Sequence, residues 1–196
     1  PSLVHVFAKS SSELKIPDLE YVMSPASFKE GTVGLLDKVS GMTLGVWQTR
    51  PKSNGYVKIN SKNIHEPPII NPNYLSDPYD VDVLLKSIRI GRNFLSTSPL
   101  QPYLNGQANP SNDLQTDDEL LSWARNEGIT VYHMIGTAKM GPKSDKMAVV
   151  NNELQVRGIE SLRVADASIM PTMPSGNTNA PTMMIAEKAS DMILGK

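Results

Sequence analysis

Helical periodicity is confined to three segments of this sequence, and prolines and glycines divide the rest into short runs. The first segment begins at Asp77-Pro78, where Asp can cap a helix and Pro suits the first helical position. Its predicted apolar face consists of Val81, Leu84, Leu85, Ile88 and Leu95. These three segments leave the bulk of the chain to strands and loops.

The other two helical segments also have recognisable ends. Residues 116–119, Thr-Asp-Asp-Glu, match a capping box, and Gly128 can end that helix. The last helix is predicted to begin near residues 179–181. Its expected apolar stripe is Ile185, Ala189, Met192 and Ile193.

Three β-rich runs, at residues 2–8, 42–49 and 56–60, are predicted to be strands. Asn54-Gly55 separates the last two runs, and this dipeptide favours a tight turn, so we expect a hairpin there. Residues 9–40 show little periodicity and are predicted to be a surface loop with a short helix. The predicted fold class is α+β, an antiparallel or mixed sheet with flanking helices.

Charge and composition exclude several classes of protein. The 19 basic and 20 acidic residues give a net charge of −1, which argues against a nucleic-acid partner. No apolar run approaches the ~18–20 residues of a membrane span. The absence of cysteine excludes disulfides and thiolate chemistry. We expect a cytoplasmic location.

The three histidines, His5, His65 and His133, form no ligand pair at metal-binding spacing, so no metal site is predicted. Residues 136–144 nearly match a phosphate-binding loop, but Pro142 stands where that motif needs Lys. The chain contains neither a Gly-x-Gly-x-x-Gly turn nor a Gly-x-Ser-x-Gly elbow. Nucleotide hydrolysis and serine-hydrolase chemistry therefore lack support.

Two stretches hold polar side chains where simple packing does not require them. They are residues 132–141, Tyr-His-Met-Ile-Gly-Thr-Ala-Lys-Met-Gly, and residues 163–182, which include Gly176-Asn177-Thr178-Asn179-Ala180-Pro181. The second stretch leads into the last predicted helix, whose positive end favours an anion or an electron-rich ring atom. An elaborate helix cap explains the same residues about equally well.

These stretches resemble the C-terminal signature of the glucose–methanol–choline (GMC) family of flavoprotein oxidoreductases. His133-x-x-Gly136-Thr137-x-x-Met140-Gly141 is similar to the family's catalytic histidine motif. Residues 171–182 follow the choline-dehydrogenase-like pattern, and the similarity is near-continuous from about 130 to 193. It is looser from 41 to 100.

The resemblance implies an FAD-dependent enzyme that oxidises the CH–OH group of an alcohol. His133 corresponds to the base that accepts the hydroxyl proton while hydride leaves for flavin N5. An unperturbed imidazole suits this task because it titrates at ~6.5, near working pH. Asn177 falls where the family places its second active-site residue, an amide or imidazole that contacts the substrate oxygen.

The resemblance also implies which residues face the cofactor. Asp166 and Ala167 would contact the ribityl–pyrophosphate part of FAD, and Thr178 and Pro181 would line its ring. The helix that starts near Asn179 would direct its N-terminus at the flavin N1/O2 region.

The predicted domain organisation follows from the same family. Residues 1–128 are expected to be part of the substrate-binding domain, and residues 129–196 the segment that completes the flavin domain. The family's N-terminal FAD-binding domain is the expected holder of the cofactor and partner of this chain, and we expect these 196 residues to lack it. Pro1 is followed directly by a predicted strand, so we expect the chain to be a fragment. Without a redox centre, that fragment is expected to be inactive alone.

Two other functions remain open from the sequence. Some proteins of this fold cleave cyanohydrins without net redox, so a hydroxynitrile-lyase-like activity is one alternative. A truncated, non-catalytic binding module is the other.

Overall fold

The computed structural model describes residues 4–29 and 35–196, and these form two compact units. The first unit comprises residues 1–52 and 75–131, and the second comprises residues 53–74 and 132–196. Residues 53–74 thus belong with the C-terminal segment, although the sequence prediction grouped them with everything before residue 129. The functional assignment of the two predicted parts stays a prediction.

The first unit is built on a three-stranded antiparallel sheet. Its strands are β1 (Val4–Ala8), β2 (Leu19–Ser24) and β3 (Thr43–Gln48), with β2 in the centre. Strands β1 and β3 confirm two of the predicted strands. The described part of the run at residues 2–8 forms β1, and the run at residues 42–49 forms β3; both pair with β2. The sheet is antiparallel, as the predicted fold class requires.

The central strand β2 was not predicted. The prediction of a surface loop over residues 9–40 was therefore wrong for Leu19–Ser24. Leu19, Glu20 and Tyr21 are all buried, so β2 is covered on both faces. A strand covered on both faces lacks the apolar–polar alternation that identifies a half-exposed strand. The described residues of 9–40 contain no helix.

Two helices complete the first unit, and both begin and end where the sequence indicates. Helix α1 (Pro78–Leu95) has Asp77 as its N-cap, and the Asp77 carboxylate accepts a hydrogen bond from Tyr79 N at 2.8 Å. Helix α2 (Asp117–Glu127) has the full capping box, with Gly128 as its C-cap. Leu120 and Ala124 are buried and Leu121 is half-buried.

The face of α1 that packs on the sheet differs from the predicted apolar stripe. The buried positions are Asp80, Val83, Ser87, Ile88 and Gly91. Of the predicted stripe only Ile88 is buried, whereas Val81, Leu84, Leu85 and Leu95 are half-buried.

A hydrogen bond and a close approach explain this rotation of α1. The Tyr21 hydroxyl donates to the Ser87 carbonyl at 2.8 Å, and burial raises the pKa of Tyr21. A Cβ at Gly91 would lie 3.5 Å from both Leu44 and Tyr21. Polar and small residues therefore occupy the interface because the sheet brings an aromatic side chain against the helix backbone.

The predicted hairpin between residues 42–49 and 56–60 is wrong. Strand β3 pairs with β2, and the short strand β4 (Tyr56–Lys58) pairs with β5 (Ile69–Asn71), which was not predicted. Gly55 serves a close backbone approach instead of a tight hairpin turn, because a Cβ there would lie 2.0 Å from the Asn71 carbonyl oxygen. Glycine is therefore required at position 55, but the backbone that approaches it is that of Asn71 in β5, and Gly55 does not form a hairpin turn between β3 and β4.

The second unit has its own core, to which helix α3 (Asn179–Leu194) contributes. Its buried members are Val150, Leu154, Ile169, Met170, Ile185 and Ala189. Ile185 and Ala189 confirm the predicted stripe of the last helix, and Met192 packs at its edge. Ile193 is 62% exposed, so its assignment to the stripe was wrong.

Within the described residues, the helices are all too short or too polar to cross a lipid bilayer.

The capping box of α2 yields a stability prediction. Thr116→Ala removes the hydroxyl that accepts from Glu119 N, and should lower the free energy of unfolding by about 1 kcal/mol. Thr116→Ser keeps that oxygen and should be nearly neutral, so urea unfolding of the two variants isolates the hydrogen bond. Equal losses would contradict the role of the cap.

The same capping box should make stability depend on pH. Backbone N–H groups of Thr116 and Gln115 hold the pKa of the Glu119 carboxyl below its ordinary value. A lowered folded-state pKa gives stabilisation that is present above the unfolded value of ~4.3 and is lost as pH falls through the folded value. Glu119→Gln should reduce the loss of stability between neutral and acidic pH; an unchanged pH dependence would contradict this.

Candidate active site

His133 lies between two consecutive side chains that precede helix α3. Asn177 Nδ2 is 3.0 Å from His133 Nε2, and Thr178 Oγ1 is 3.1 Å from His133 Nδ1. Both ring nitrogens therefore have a hydrogen-bonding partner. His133 is half-buried and Thr178 is buried, whereas Asn177 is exposed.

Backbone hydrogen bonds join the two sequence stretches that contain these residues. Ala138 N donates to the Ser168 carbonyl at 3.0 Å, and Met140 N donates to the Ile169 carbonyl at 2.7 Å. Ile169 is buried in the core of the second unit. The segment after His133 is thus fixed to the segment before Asn177, although His133 and Asn177 are 44 residues apart in the sequence.

The backbone around His133 has two left-handed residues. Gly136 has φ +83°, and Tyr132, directly before His133, has φ +60°. Left-handed conformation is unfavourable for a bulky side chain such as tyrosine, so the surrounding structure must hold Tyr132 in place. Such residues concentrate at functional sites, where they direct a neighbouring side chain.

An ion pair and a strand bridge hold the far end of the histidine segment. Lys139 Nζ lies 2.7 Å from Asp145 Oδ2, and Lys139 keeps the pKa of the Asp145 carboxyl below its ordinary value. Met140 forms a parallel bridge with Val150, which is fully buried. The segment that contains His133 is therefore anchored to the buried core of the second unit.

The contacts of His133 fit one tautomer of the neutral ring. With the amide nitrogen of Asn177 directed at Nε2, Nε2 accepts and carries the lone pair, because an amide nitrogen can only donate. The hydrogen of the neutral ring then lies on Nδ1 and points to the Thr178 hydroxyl oxygen. This tautomer presents an unprotonated nitrogen on the side of the exposed Asn177.

The first turn of α3 is left without a side-chain cap. Thr178 is its N-cap residue, but the Thr178 hydroxyl makes no capping hydrogen bond and contacts His133 instead. Asn179 and Ala180 occupy the first positions, where backbone N–H groups have no acceptor inside the helix. Pro181 has no N–H, so two donors remain at this end.

Asp166 caps a 3-10 turn, Ala167–Ile169, in this region. Its Oδ1 accepts from Ser168 N at 2.8 Å and from the Ser168 hydroxyl at 2.5 Å. Asp166 itself is exposed, and Ala167 packs against the core of the second unit.

The predicted residues thus divide into two groups. His133 and Asn177 are in direct contact, whereas the predicted cofactor contacts of Asp166, Ala167, Thr178, Asn179 and Pro181 stay predictions. The contact between Thr178 and His133 was missed by sequence reasoning. The available signal was the run of adjacent polar residues before the helix, which exceeds what one cap needs.

Comparison of the sequence with known protein families identifies the class of protein to which this fold and site belong. The model of the family described as GMC oxidoreductase matches residues 51–186. The chain belongs to the GMC oxidoreductase family.

Individual relatives agree with this assignment. The chain is 39% identical over 194 residues to "Alcohol dehydrogenase [acceptor]" of Pseudomonas putida, covering 97% of this chain and 34% of that protein. It is 40% identical over 192 residues to "Oxygen-dependent choline dehydrogenase" of Staphylococcus aureus strain JH9, covering 97% and 33%. The chain spans about a third of the length of these curated relatives.

A solved structure supports the same fold. The structure of formate oxidase from Aspergillus oryzae RIB40, solved in work on FAD modification, matches this chain with a TM-score of 0.81 and 27% identity. The match covers 94% of this chain and 32% of that one. The predicted family and the α+β fold class are confirmed.

The left-handed Gly136 provides a test of the local backbone. Gly136→Ala should lower the free energy of unfolding by about 1–2 kcal/mol, because L side chains disfavour this conformation. Space is not the cause, since the added Cβ would lie 3.5 Å from the Met170 carbonyl oxygen. Gly45→Ala in β3, where the nearest atom is 3.8 Å away, is the control; chemical denaturation should show it to be the milder change.

Proposed function

We propose that this chain supplies the base and the oxygen-binding amide of an FAD-dependent oxidoreductase that acts on the CH–OH group of an alcohol. The observation that carries the proposal is the pair of contacts that leaves the lone pair of His133 Nε2 beside the exposed Asn177 amide. The names of the two curated relatives, an alcohol dehydrogenase and a choline dehydrogenase, support this substrate class.

The residues present fit an FAD molecule. The unused N–H groups of Asn179 and Ala180, at the positive end of α3, can donate to an electron-rich ring carbonyl. Asp166 is exposed, and its described hydrogen bonds use Oδ1, which leaves Oδ2 to accept from a sugar-like hydroxyl. Thr178, Pro181 and Ala167 would complete the lining. Bound FAD would supply the acceptor for the hydride of the alcohol.

The chain's own residues account for the movement of the proton. A hydroxyl that approaches His133 Nε2 within about 2.6–3.2 Å can transfer its proton to the lone pair there. The Asn177 amide now donates to that lone pair, so the incoming hydroxyl must displace it. The released N–H can then donate to the substrate oxygen, where negative charge develops as the proton leaves.

We further propose the division of labour that the family implies. Residues 1–128 would contribute to the substrate-binding domain, and residues 129–196 would complete the flavin domain. Within the 196 residues no dinucleotide-binding turn occurs, so the cofactor would be held mainly by another domain, and this chain alone would be inactive.

The visible absorption spectrum of the natural full-length protein tests the proposal directly. Choline, 1-butanol and benzyl alcohol are added under anaerobic conditions, and a flavin band that bleaches with one of them supports the proposed reaction. Flavin that stays oxidised with all three contradicts alcohol oxidation and favours a lyase. A protein without flavin contradicts the cofactor assignment and favours a binding module.

His133→Ala should lower turnover of the responsive alcohol by about 10²–10⁴-fold, because the proton acceptor is lost. His65→Ala is the matched control, since His65 is exposed in a loop of the same unit. Steady-state kinetics with a dye acceptor measures both. Equal turnover in the two variants would exclude His133 as the base.

Asn177→Asp should be more damaging than Asn177→Ala. An ionised carboxylate can only accept, so it favours a hydrogen on Nε2 and removes the lone pair that takes the substrate proton. We expect kcat/KM of the Asp variant to fall at least about 10-fold below that of the Ala variant, the size of one hydrogen bond to a charged group. An Asp variant as active as the unmodified enzyme would contradict the assigned orientation of the amide.

A further inference from the structure

We infer that Thr178 is a positioning residue whose hydroxyl oxygen accepts a hydrogen bond from His133 Nδ1 and thereby keeps Nε2 unprotonated. This role differs from the flavin contact that the sequence suggested for Thr178. It rests on the proposed function, in which Nε2 of His133 receives the proton of the alcohol.

The geometry supports a contact between side chains that is separate from helix capping. Thr178 Oγ1 lies 3.1 Å from His133 Nδ1, within hydrogen-bonding distance. Thr178 holds the N-cap position of α3 without making the side-chain hydrogen bond that such residues usually provide. Its side chain is therefore directed to the histidine at the expense of the helix terminus.

Other interactions restrict the position of Thr178. The residue is 8% exposed, and its carbonyl accepts from Thr182 N at 3.0 Å and from the Thr182 hydroxyl at 2.7 Å. Helix α3 is anchored in the core through Ile185 and Ala189. The acceptor for Nδ1 is thus held by a rigid element, as precise positioning requires.

The two partners of His133 act in the same direction on its tautomer. Asn177 donates to Nε2, and Thr178 accepts from Nδ1, so both favour a hydrogen on Nδ1. When Nε2 takes a proton, the Nδ1–H bond to Thr178 becomes charge-assisted and therefore stronger. The hydroxyl accordingly helps before and after proton transfer.

The tautomer of His133 can be measured without a substrate. Histidine ring ¹⁵N resonances of the natural full-length protein are recorded, and those of His133 are identified by their loss in His133→Ala. For the neutral ring of the unmodified protein, we expect a protonated Nδ1 and an unprotonated Nε2. A hydrogen on Nε2 would overturn the inference.

Thr178→Val and Thr178→Ser form a matched pair for this test. Valine keeps the shape and removes the acceptor, so the Nε2–H tautomer should become detectable; serine keeps the oxygen and should preserve the original tautomer. With the alcohol that reduces the flavin, kcat/KM should fall roughly 10–100-fold in the valine variant and largely recover in the serine variant. Thermal unfolding verifies folding, and Thr178→Ala replaces the valine variant if that one does not fold.

The outcomes separate the inference from the proposed function. A valine variant with the original tautomer and kcat/KM overturns the role of Thr178 and leaves the role of His133 intact. Equal losses in the valine and serine variants would show that the retained oxygen of serine does not restore the function, and this result would also overturn the inference. Full turnover in His133→Ala would contradict the proposed function, while the tautomer measurement would still decide the hydrogen bond.

Discussion

The arrangement of the candidate active site depends on two backbone hydrogen bonds, from Ala138 N to the Ser168 carbonyl and from Met140 N to the Ile169 carbonyl. They connect the histidine segment to the segment that leads into helix α3, and the side chain of Ile169 secures the connection in the core. A bond between main-chain atoms is insensitive to the side chains on either segment. The site can therefore change its polar side chains without losing the registration of the two segments.

The parts of the structure that the sequence predicted best are those set by short-range chemistry. The Asp77 cap, the capping box at Thr116 and the start of α3 each depend on residues within one helical turn. Strand β2 was missed because burial of Leu19 and Glu20 on opposite faces removes alternation, and long-range pairing alone makes it a strand. Gly55 showed the same limit: the sequence identified the need for glycine but not the partner, Asn71.

In the candidate site, too, the sequence pattern predicted some residues, whereas contacts between distant parts of the chain could not be predicted. Motif similarity selected His133 and Asn177, and the structure brings them within 3.0 Å of each other. The role of Thr178 could not be predicted, because a threonine before a helix ordinarily caps it. Only the path of the chain around the core shows which group its hydroxyl meets. A local rule that fails beside a functional residue is itself informative.

The choice of a neutral acceptor for Nδ1 has an electrostatic consequence. A carboxylate in place of the Thr178 hydroxyl would hold the protonated ring more strongly, but its negative charge would compensate the imidazolium. Under the proposed function, a hydroxyl would leave the positive charge on His133 available to the negative charge that develops on the substrate oxygen at Nε2. The proposed site would thus favour the separation of a proton from an alcohol over the storage of a stable ion pair within the protein.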